Sequence, residues 1–330
     1  MPPLKIFIYP KEACHLEPDY AYRELPVLGR PNPDYFEVVA DPAAADFIVL
    51  PVLLNNVGAS HQAEPDYLYS YLPRLPYYRE FEEKHVFFLL DVDTWAPLFT
   101  KAVQFRHSVH RRFPDLNALA YPYYPDHVPG PPTYDGLSCH TFFSGFLGSW
   151  KGRIELLKAL SQVRGLNCVV RGINQFHLHQ PAEERARNRQ FFLESMHRTL
   201  TVCCPRGAGL NSIRFFETLG YGRIPILISD DVVLPLEYQV NYDRFVLRVP
   251  EGQMANIGVL LHDWMDKIPP GEMAQKCAAA RQAWDDYLCP ARREQLVWLG
   301  LQRVRAAHYQ LNLKQASEVA LLRRSMAGTR

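Results

Sequence analysis

The sequence lacks an excess of charge of either sign. Its 36 Lys and Arg residues nearly balance its 35 Asp and Glu residues, so the formal net charge is +1 at pH 7. Proteins that bind nucleic acid usually carry a basic excess or a basic stripe. We therefore expect no nucleic-acid partner for this chain.

Long apolar runs are missing as well. No run reaches the roughly 20 apolar residues that a membrane span needs. The opening residues, MPPLKIFIYP, do not have the pattern of a signal peptide. We expect a cytoplasmic protein without a membrane span, which leaves room for peripheral association with a membrane surface.

Paired cysteine motifs are also absent. The chain has seven cysteines, an odd number, and they form neither a CxxC motif nor a Cys/His spacing typical of metal sites. Free thiols in a reducing compartment fit this usage best. We expect no metal site built from cysteine.

Apolar runs that alternate with helical patterns are what the sequence does contain. Strands are predicted at 4–9, 36–52 (two short runs), 84–93, 117–124, 140–150 (a strand followed by a glycine loop), 166–172, 201–204, 224–229 and 244–249. Helical spacing is found at 152–163, 183–200 and 211–222. Strands that alternate with helices are typical of parallel α/β sheets. The sequence therefore predicts the α/β class.

A segment rich in proline and glycine, YPDHVPGPPTYDG at 124–136, separates two such halves. We place a domain boundary there. The prediction is an N-terminal, acceptor-binding domain at 1–134 and a C-terminal, nucleotide-sugar-binding domain at 135–290. A helical segment at 291–330 is expected to cross back over the N-terminal domain.

The most informative stretch is CCPRGAGLNSIRFFETLGYGRIPILISD, residues 203–230. A strand is followed by a loop whose glycines can take positive φ, and Asn211 or Ser212 can cap the next helix. Strand, glycine loop and helix N-terminus form an anion site, and Arg206 adds charge to it. Glu217, farther along the helix, can accept hydrogen bonds from ribose hydroxyls. The stretch predicts a nucleotide site, although glycines needed for the turn and surface arginines would also explain it.

The order of short motifs in residues 204–237 resembles the exostosin family, glycosyltransferase family 47. The motifs are Cys204-Pro205-Arg206-Gly207, Ser212-Ile213-Arg214, Glu217-Thr218, Ile224-Pro225-Ile226, Ser229-Asp230-Asp231 and Leu234-Pro235-Leu236-Glu237. Weaker matches at 41–52, 84–95, 141–153 and 245–254 extend the resemblance over most of residues 1–260.

This resemblance implies a GT-B fold, in which two Rossmann-like domains face a cleft. It also implies metal-independent, inverting transfer of a sugar to a hydroxyl of a glycan or glycolipid, in polysaccharide or glycoconjugate assembly. The expected carrier of the sugar is UDP. No cofactor is implied, since the UDP-sugar is the donor substrate. The donor residues carried over by the resemblance are Lys151, Arg153, Arg206, Gly207, Ser212, Arg214 and Glu217. Asp230 and Asp231 either contact the sugar or cap the turn that follows.

Inverting transfer needs a base for the acceptor hydroxyl and an electrostatic partner for the departing diphosphate. Arg206 is the candidate for the second role. The base is expected at the carboxyl ends of the N-terminal strands, where Asp93 is favoured over Asp91. Glu12, His15 and His61 are the other candidates.

Two alternatives stay open. Asp91-Val92-Asp93 can be read as the D-x-D motif of a GT-A transferase, which holds a divalent metal on the donor diphosphate. The chain can also be a non-catalytic member that binds a glycan or a nucleotide.

Overall fold

The computed structural model describes residues 2–14, 30–53, 64–90, 98, 100–112, 117–125, 128, 137–269 and 271–327. Within them lie two parallel sheets with helices around them, so the predicted α/β class is confirmed. The predicted domain boundary at 134/135 lies outside the described residues.

The N-terminal sheet has six parallel strands in the order β2-β1-β3-β4-β5-β6. Its strands are β1 Leu4–Ile8, β2 Phe36–Val38, β3 Phe47–Leu53, β4 His85–Leu89, β5 Val103–Arg106 and β6 Ala118–Ala120, with the helix α1 Glu64–Tyr71 after β3. All five residues of β4 are buried, as expected for a parallel strand covered on both faces. The sequence patterns did not predict β5.

The C-terminal sheet has five parallel strands in the order β11-β10-β9-β7-β8. Its strands are β7 Cys139–Phe146, β8 Cys168–Ile173, β9 Thr199–Pro205, β10 Ile224–Ile228 and β11 Leu247–Arg248. The helices are α2 Gly152–Ser161, α3 Ala182–Arg198, α4 Ile213–Gly220, α5 Ile257–Asp266, α6 Glu272–Ala283 and α7 Arg293–Ala327. All seven cysteines are free, in agreement with the prediction.

The last helix returns to the first sheet. Glu294 Oε2 accepts a hydrogen bond from the backbone N–H of Asn32 at 2.9 Å, and Arg305 Nη1 lies 3.2 Å from Asp46 Oδ2. The amide of Gln302 donates to the carbonyl of Pro2 at 3.0 Å. The predicted packing of the C-terminal helix against the N-terminal domain is confirmed. None of the helices in the described part of the chain combines the length and apolar character needed to cross a membrane.

The carboxyl edges of the two sheets face each other. The segment after β5 bonds to the loops after β9 and β10: Leu210 N donates to Ser108 Oγ at 3.1 Å, and Asn211 Nδ2 donates to His107 O at 3.2 Å. Val233 N donates to Val109 O at 3.0 Å. Two parallel sheets with opposed carboxyl edges form the architecture that the GT-B prediction required.

Candidate active site

The strand order of the C-terminal sheet locates its binding crevice. The chain runs from β7 outward to β8 and then returns to β9 on the other side of β7. Loops leaving β7 and β9 therefore diverge, and open α/β sheets bind ligands at such a switch point, outside the carboxyl ends of the strands. Here those loops carry Trp150 after β7 and Arg206 after β9.

Arg206 is held at this point from several sides. Its backbone N–H donates to Ile228 O at 3.0 Å, which ties the loop to the end of β10. Its guanidinium carbon lies 4.9 Å from the centre of the Trp150 ring, and its Nε lies 3.2 Å from Glu251 Oε1. The side chain remains 25% exposed, so its charge is available to a ligand in the crevice.

Arg153 lies beneath the same loop rather than in open solvent. Its guanidinium donates to the backbone carbonyls of Arg206 at 2.9 Å, Phe146 at 3.0 Å and Pro205 at 3.2 Å. These bonds join the ends of β7 and β9, so Arg153 shapes the crevice through the backbone. Lys151, just before α2, is exposed. Both residues were expected to reach the phosphates, and that role stays a prediction.

The helix α4 begins directly after the loop. Ser212 precedes it in an extended conformation and makes no side-chain cap, while Asn211 Oδ1 accepts the N–H of Ser212 at 2.8 Å. The glycines of the loop differ from expectation: neither Gly207 nor Gly209 is in the left-handed region. The turn of this loop therefore does not depend on a left-handed glycine. An ideal Cβ at Gly207 would lie 3.5 Å from Arg153 Nη2, which is ordinary van der Waals distance.

Glu217 is enclosed by two arginines. Its side chain is 3% exposed, and Arg189 Nη1 bonds its Oε1 at 2.9 Å. Arg214 Nη1 bonds the other carboxylate oxygen. Both guanidinium groups lie against the ring of Phe192, at 4.0 Å for Arg214 and 5.2 Å for Arg189. The expected ribose role of Glu217 stays a prediction, and its carboxylate is fixed in place by these partners.

The two acids that follow β10 have different surroundings. Asp230 is exposed and exchanges hydrogen bonds with Glu251, whose backbone N–H donates to Asp230 Oδ1 at 2.9 Å. Asp231 turns to the other domain, where Arg112 Nε bonds its Oδ1 at 2.9 Å. His110 Nε2 lies 3.6 Å from its Oδ2. Asp230 therefore borders the Arg206 crevice, whereas Asp231 joins the domains.

A second ion pair strengthens this interdomain joint. Arg111 Nη2 lies 2.7 and 2.8 Å from the two carboxylate oxygens of Glu237 and 3.1 Å from Val232 O. Leu236 has a φ of 51°, a left-handed conformation that costs a residue with a side chain roughly 1–2 kcal/mol. The turn at Leu236 directs Glu237 toward the N-terminal domain. Two acids of the quoted motifs thus hold the domains together.

Sequence reasoning missed five participants: Arg111, Arg112, Trp150, Arg189 and Glu251. Glu251 and Trp150 stand within stretches quoted for the resemblance, which is the signal that marked them. The three arginines carried no local signal, because their partners lie far away along the chain.

Most candidates for the base fall where the structure gives no description. Asp91, Asp93, His15 and His61 lie outside the described residues. Glu12 is exposed in a short 3₁₀ turn after β1. His110 is unsuited to the role, since its Nδ1 accepts the N–H of Arg112 at 3.1 Å and its Nε2 faces Asp231. In the part of the chain that is described, no three His, Cys, Asp or Glu side chains are grouped as metal ligands.

Comparison with known proteins adds to this geometry. Residues 165–263 match the family model of the exostosin GT47 domain. This part of the chain is similar to the exostosin GT47 domain. The resemblance seen in residues 204–237 is confirmed, and the exostosin match also includes Arg189 and Glu251.

Two curated relatives show the extent of the similarity. A probable glucuronosyltransferase GUT1 of Oryza sativa subsp. japonica is 31% identical over 72 residues, which is 22% of this chain and 17% of that protein. An exostosin-1 homolog of Caenorhabditis elegans is 33% identical over 89 residues, 27% of this chain and 22% of that protein. The matched part thus spans about a fifth of the length of these relatives.

Two solved structures are similar at a low level. A glycosyltransferase from Rickettsia africae ESF-5 has a TM-score of 0.41 at 10% identity, covering 79% of this chain and 77% of that chain. A GtfA/B complex has a TM-score of 0.39 at 10% identity, covering 79% of this chain and 57% of that chain.

Proposed function

We propose that this protein is a glycosyltransferase that moves a sugar from a nucleotide-diphosphate sugar to a hydroxyl of a glycan or glycolipid acceptor. The observation that carries the proposal is the position of Arg206 at the switch point of the C-terminal sheet, inside the segment that matches the exostosin domain. The names of the relatives, a probable glucuronosyltransferase and an exostosin homolog, support the same reaction class.

The donor is proposed to lie in the C-terminal crevice. Its diphosphate would meet the guanidinium of Arg206, the backbone amides after β9 and the N-terminus of α4, where unpaired N–H groups and the helix dipole favour negative charge. Arg214, in the first turn of α4, would supply a second cation. Glu217 would accept hydrogen bonds from the ribose hydroxyls, because a carboxylate oxygen has two lone pairs and each arginine uses one.

Transfer is proposed to invert the anomeric carbon in one displacement. The acceptor oxygen bonds to that carbon, the bond to the leaving phosphate oxygen breaks, and the acceptor proton passes to a base. Negative charge then grows on the diphosphate. Arg206, already held between Trp150 and Glu251, faces this charge without reorganising, which is the condition for electrostatic catalysis.

The acceptor is proposed to bind on the N-terminal side of the cleft. The switch point of that sheet lies between β1 and β3, so the loop after β1, which carries Glu12, borders it. Asp93 remains our favoured base and Asp91 the next. A UDP carrier, metal independence, a cytoplasmic location and peripheral contact with membranes remain predictions that rest on the sequence.

Binding and transfer assays test the proposal together. Isothermal titration with UDP, GDP and ADP should show that one nucleoside diphosphate binds in the presence of EDTA. Transfer from a panel of radiolabelled UDP- and GDP-sugars to glycan acceptors should follow the same preference. If none of these nucleotides binds, the proposed donor site is refuted. If binding needs a divalent metal, the alternative based on Asp91 and Asp93 is favoured.

A further inference from the structure

Arg189 is a residue of α3 whose contacts point to a role in donor binding. It stands outside the motifs quoted for residues 204–237, yet its Nη1 bonds Glu217 Oε1 at 2.9 Å. We call Arg189, Arg214, Glu217 and Phe192 the Glu217 cluster. The carboxylate at its centre is 3% exposed, while the two guanidinium groups are 35% and 27% exposed.

The charges of the Glu217 cluster do not cancel. Two guanidinium groups carry +2 and one carboxylate carries −1, which leaves a surplus of +1. Among the described residues, Glu217 is the only acid paired with either arginine. Both guanidinium groups are partly exposed, so water solvates this surplus and an anionic ligand can reach it. The charge of the cluster is therefore compatible with an anionic ligand.

The two arginines approach Glu217 from different elements. Arg214 lies in the first turn of α4, beside the proposed diphosphate position, and Arg189 lies on α3. If Arg214 turns toward the diphosphate, Glu217 would be a buried carboxylate without a partner unless a second cation stays with it. The guanidinium carbon of Arg189 lies 5.2 Å from the centre of the Phe192 ring. This stacking helps to keep the positive charge of Arg189 beside Glu217.

We propose that Arg189 is a positioning residue that keeps the Glu217 carboxylate oriented toward the donor ribose while Arg214 binds the diphosphate. This inference rests on the proposed function. Arg189 would thus act on the ribose end of the nucleotide and not on its phosphates. Discrimination of ribose from a sugar without hydroxyls would then depend on Arg189.

The experiment compares three variants with the wild type. Arg189→Met removes the charge, and Arg189→Lys keeps it. Arg187→Met is the matched control on the same helix, because Arg187 is 67% exposed and pairs only loosely with Glu183 at 3.8 Å. Glu217 is not a suitable target, since its removal would leave two guanidinium groups without an anion. Circular dichroism would monitor folding of each variant.

The ligands are inorganic pyrophosphate, whichever of UDP and GDP binds the wild type, and the 2′,3′-dideoxy form of that nucleotide. Titration calorimetry should show that Arg189→Met binds the ribonucleotide about tenfold more weakly than the wild type does. This is the loss of affinity expected for one charge-assisted hydrogen bond. Pyrophosphate and the dideoxynucleotide should bind nearly as they bind the wild type. Arg189→Lys should recover part of the loss, and Arg187→Met should show none.

The following results would overturn the inference. Equal weakening of pyrophosphate and ribonucleotide would mean that Arg189 acts only on the general shape or charge of the site. Unchanged ribonucleotide binding in Arg189→Met would mean that Glu217 needs no second cation. If Arg189→Met does not fold, wild-type affinities that are equal for the ribonucleotide and the dideoxynucleotide refute the inference directly. A wild type that binds neither UDP nor GDP refutes the proposed function and the inference with it.

Discussion

Acid should destabilise the N-terminal domain through a single buried histidine. His85, at the start of β4, is fully buried; its Nδ1–H donates to Phe81 O at 2.8 Å and its Nε2 accepts from the Tyr9 hydroxyl at 2.9 Å. Tyr77 N also donates to that hydroxyl oxygen at 3.3 Å, so a second imidazole proton would have to compete for it and displace the Tyr9 hydroxyl proton. Burial lowers the pKa of His85 to about 4, although the Phe81 carbonyl and Glu82 oppose the shift.

The size of the effect follows from the two pKa values. The folded state binds the proton with a pKa of about 4 and the unfolded state with one of about 6.5, so the unfolded state holds more protons between these values. Stability from this group is present above pH ~6.5 and falls as the pH drops toward ~4. The full loss approaches about 3.4 kcal/mol, at about 1.36 kcal/mol per unit, and about 2 kcal/mol is lost by pH ~5.

Urea unfolding followed by circular dichroism, at about pH 7 and about pH 5, measures this loss. The drop in the free energy of unfolding should be about 2 kcal/mol smaller for His85→Gln than for the wild type. His179→Gln, at an exposed histidine, should keep the wild-type drop. Equal drops in wild type and His85→Gln would refute the reasoning. So would an NMR titration in which the His85 ring protonates near pH 6.5.

Three further predictions concern the candidate active site. Arg206→Ala should lower turnover, because it removes about 3–4 kcal/mol of transition-state stabilisation. Arg164→Ala, at an exposed arginine, serves as control, and a rate of Arg206→Ala close to that of the wild type would reject the role of Arg206. Gly152→Ala should raise the KM for the donor with little change in circular dichroism, because a Cβ there would lie 2.5 Å from Trp150 and displace the ring under Arg206. An unchanged KM would contradict this. EDTA should leave the transfer rate unchanged, and a loss restored by Mn²⁺ would instead support the metal-dependent alternative.

The missed strand β5 shows a limit of local patterns. Its sequence, Val-Gln-Phe-Arg, alternates apolar and polar residues, a pattern that indicates a half-exposed strand, yet all four residues are buried. Gln104 Nε2 donates to Leu98 O at 2.9 Å, and Arg106 Nη1 donates to Gln104 Oε1 at 3.2 Å. The alternating pattern predicts that Gln104 and Arg106 are exposed to solvent. In the folded domain they are buried, and hydrogen bonds within the protein satisfy their polar groups.

Helix α4 shows a similar division between local and distant information. Its position after a glycine-containing loop was predictable, since apolar spacing is a local signal, although the expected side-chain cap by Ser212 is not formed. The partner of its Glu217 was not, because Arg189 stands 28 residues earlier on another helix. The sequence suggested a carboxylate that meets a ribose, and the fold adds two arginines that hold this carboxylate.

The sequence by itself determined the α/β class, most of the strands and the motif-bearing segment 203–237, because apolar periodicity, glycine loops and motif order are written in neighbouring residues. Only the tertiary structure decided which charges meet. Arg112 and Asp231 are 119 residues apart, and Arg111 and Glu237 are 126 apart. The two sheets pack with their carboxyl edges facing each other, and this packing brings each pair of side chains within hydrogen-bond distance. Such pairings depend on how far each strand and loop carries its side chains in space, and no local pattern contains that information.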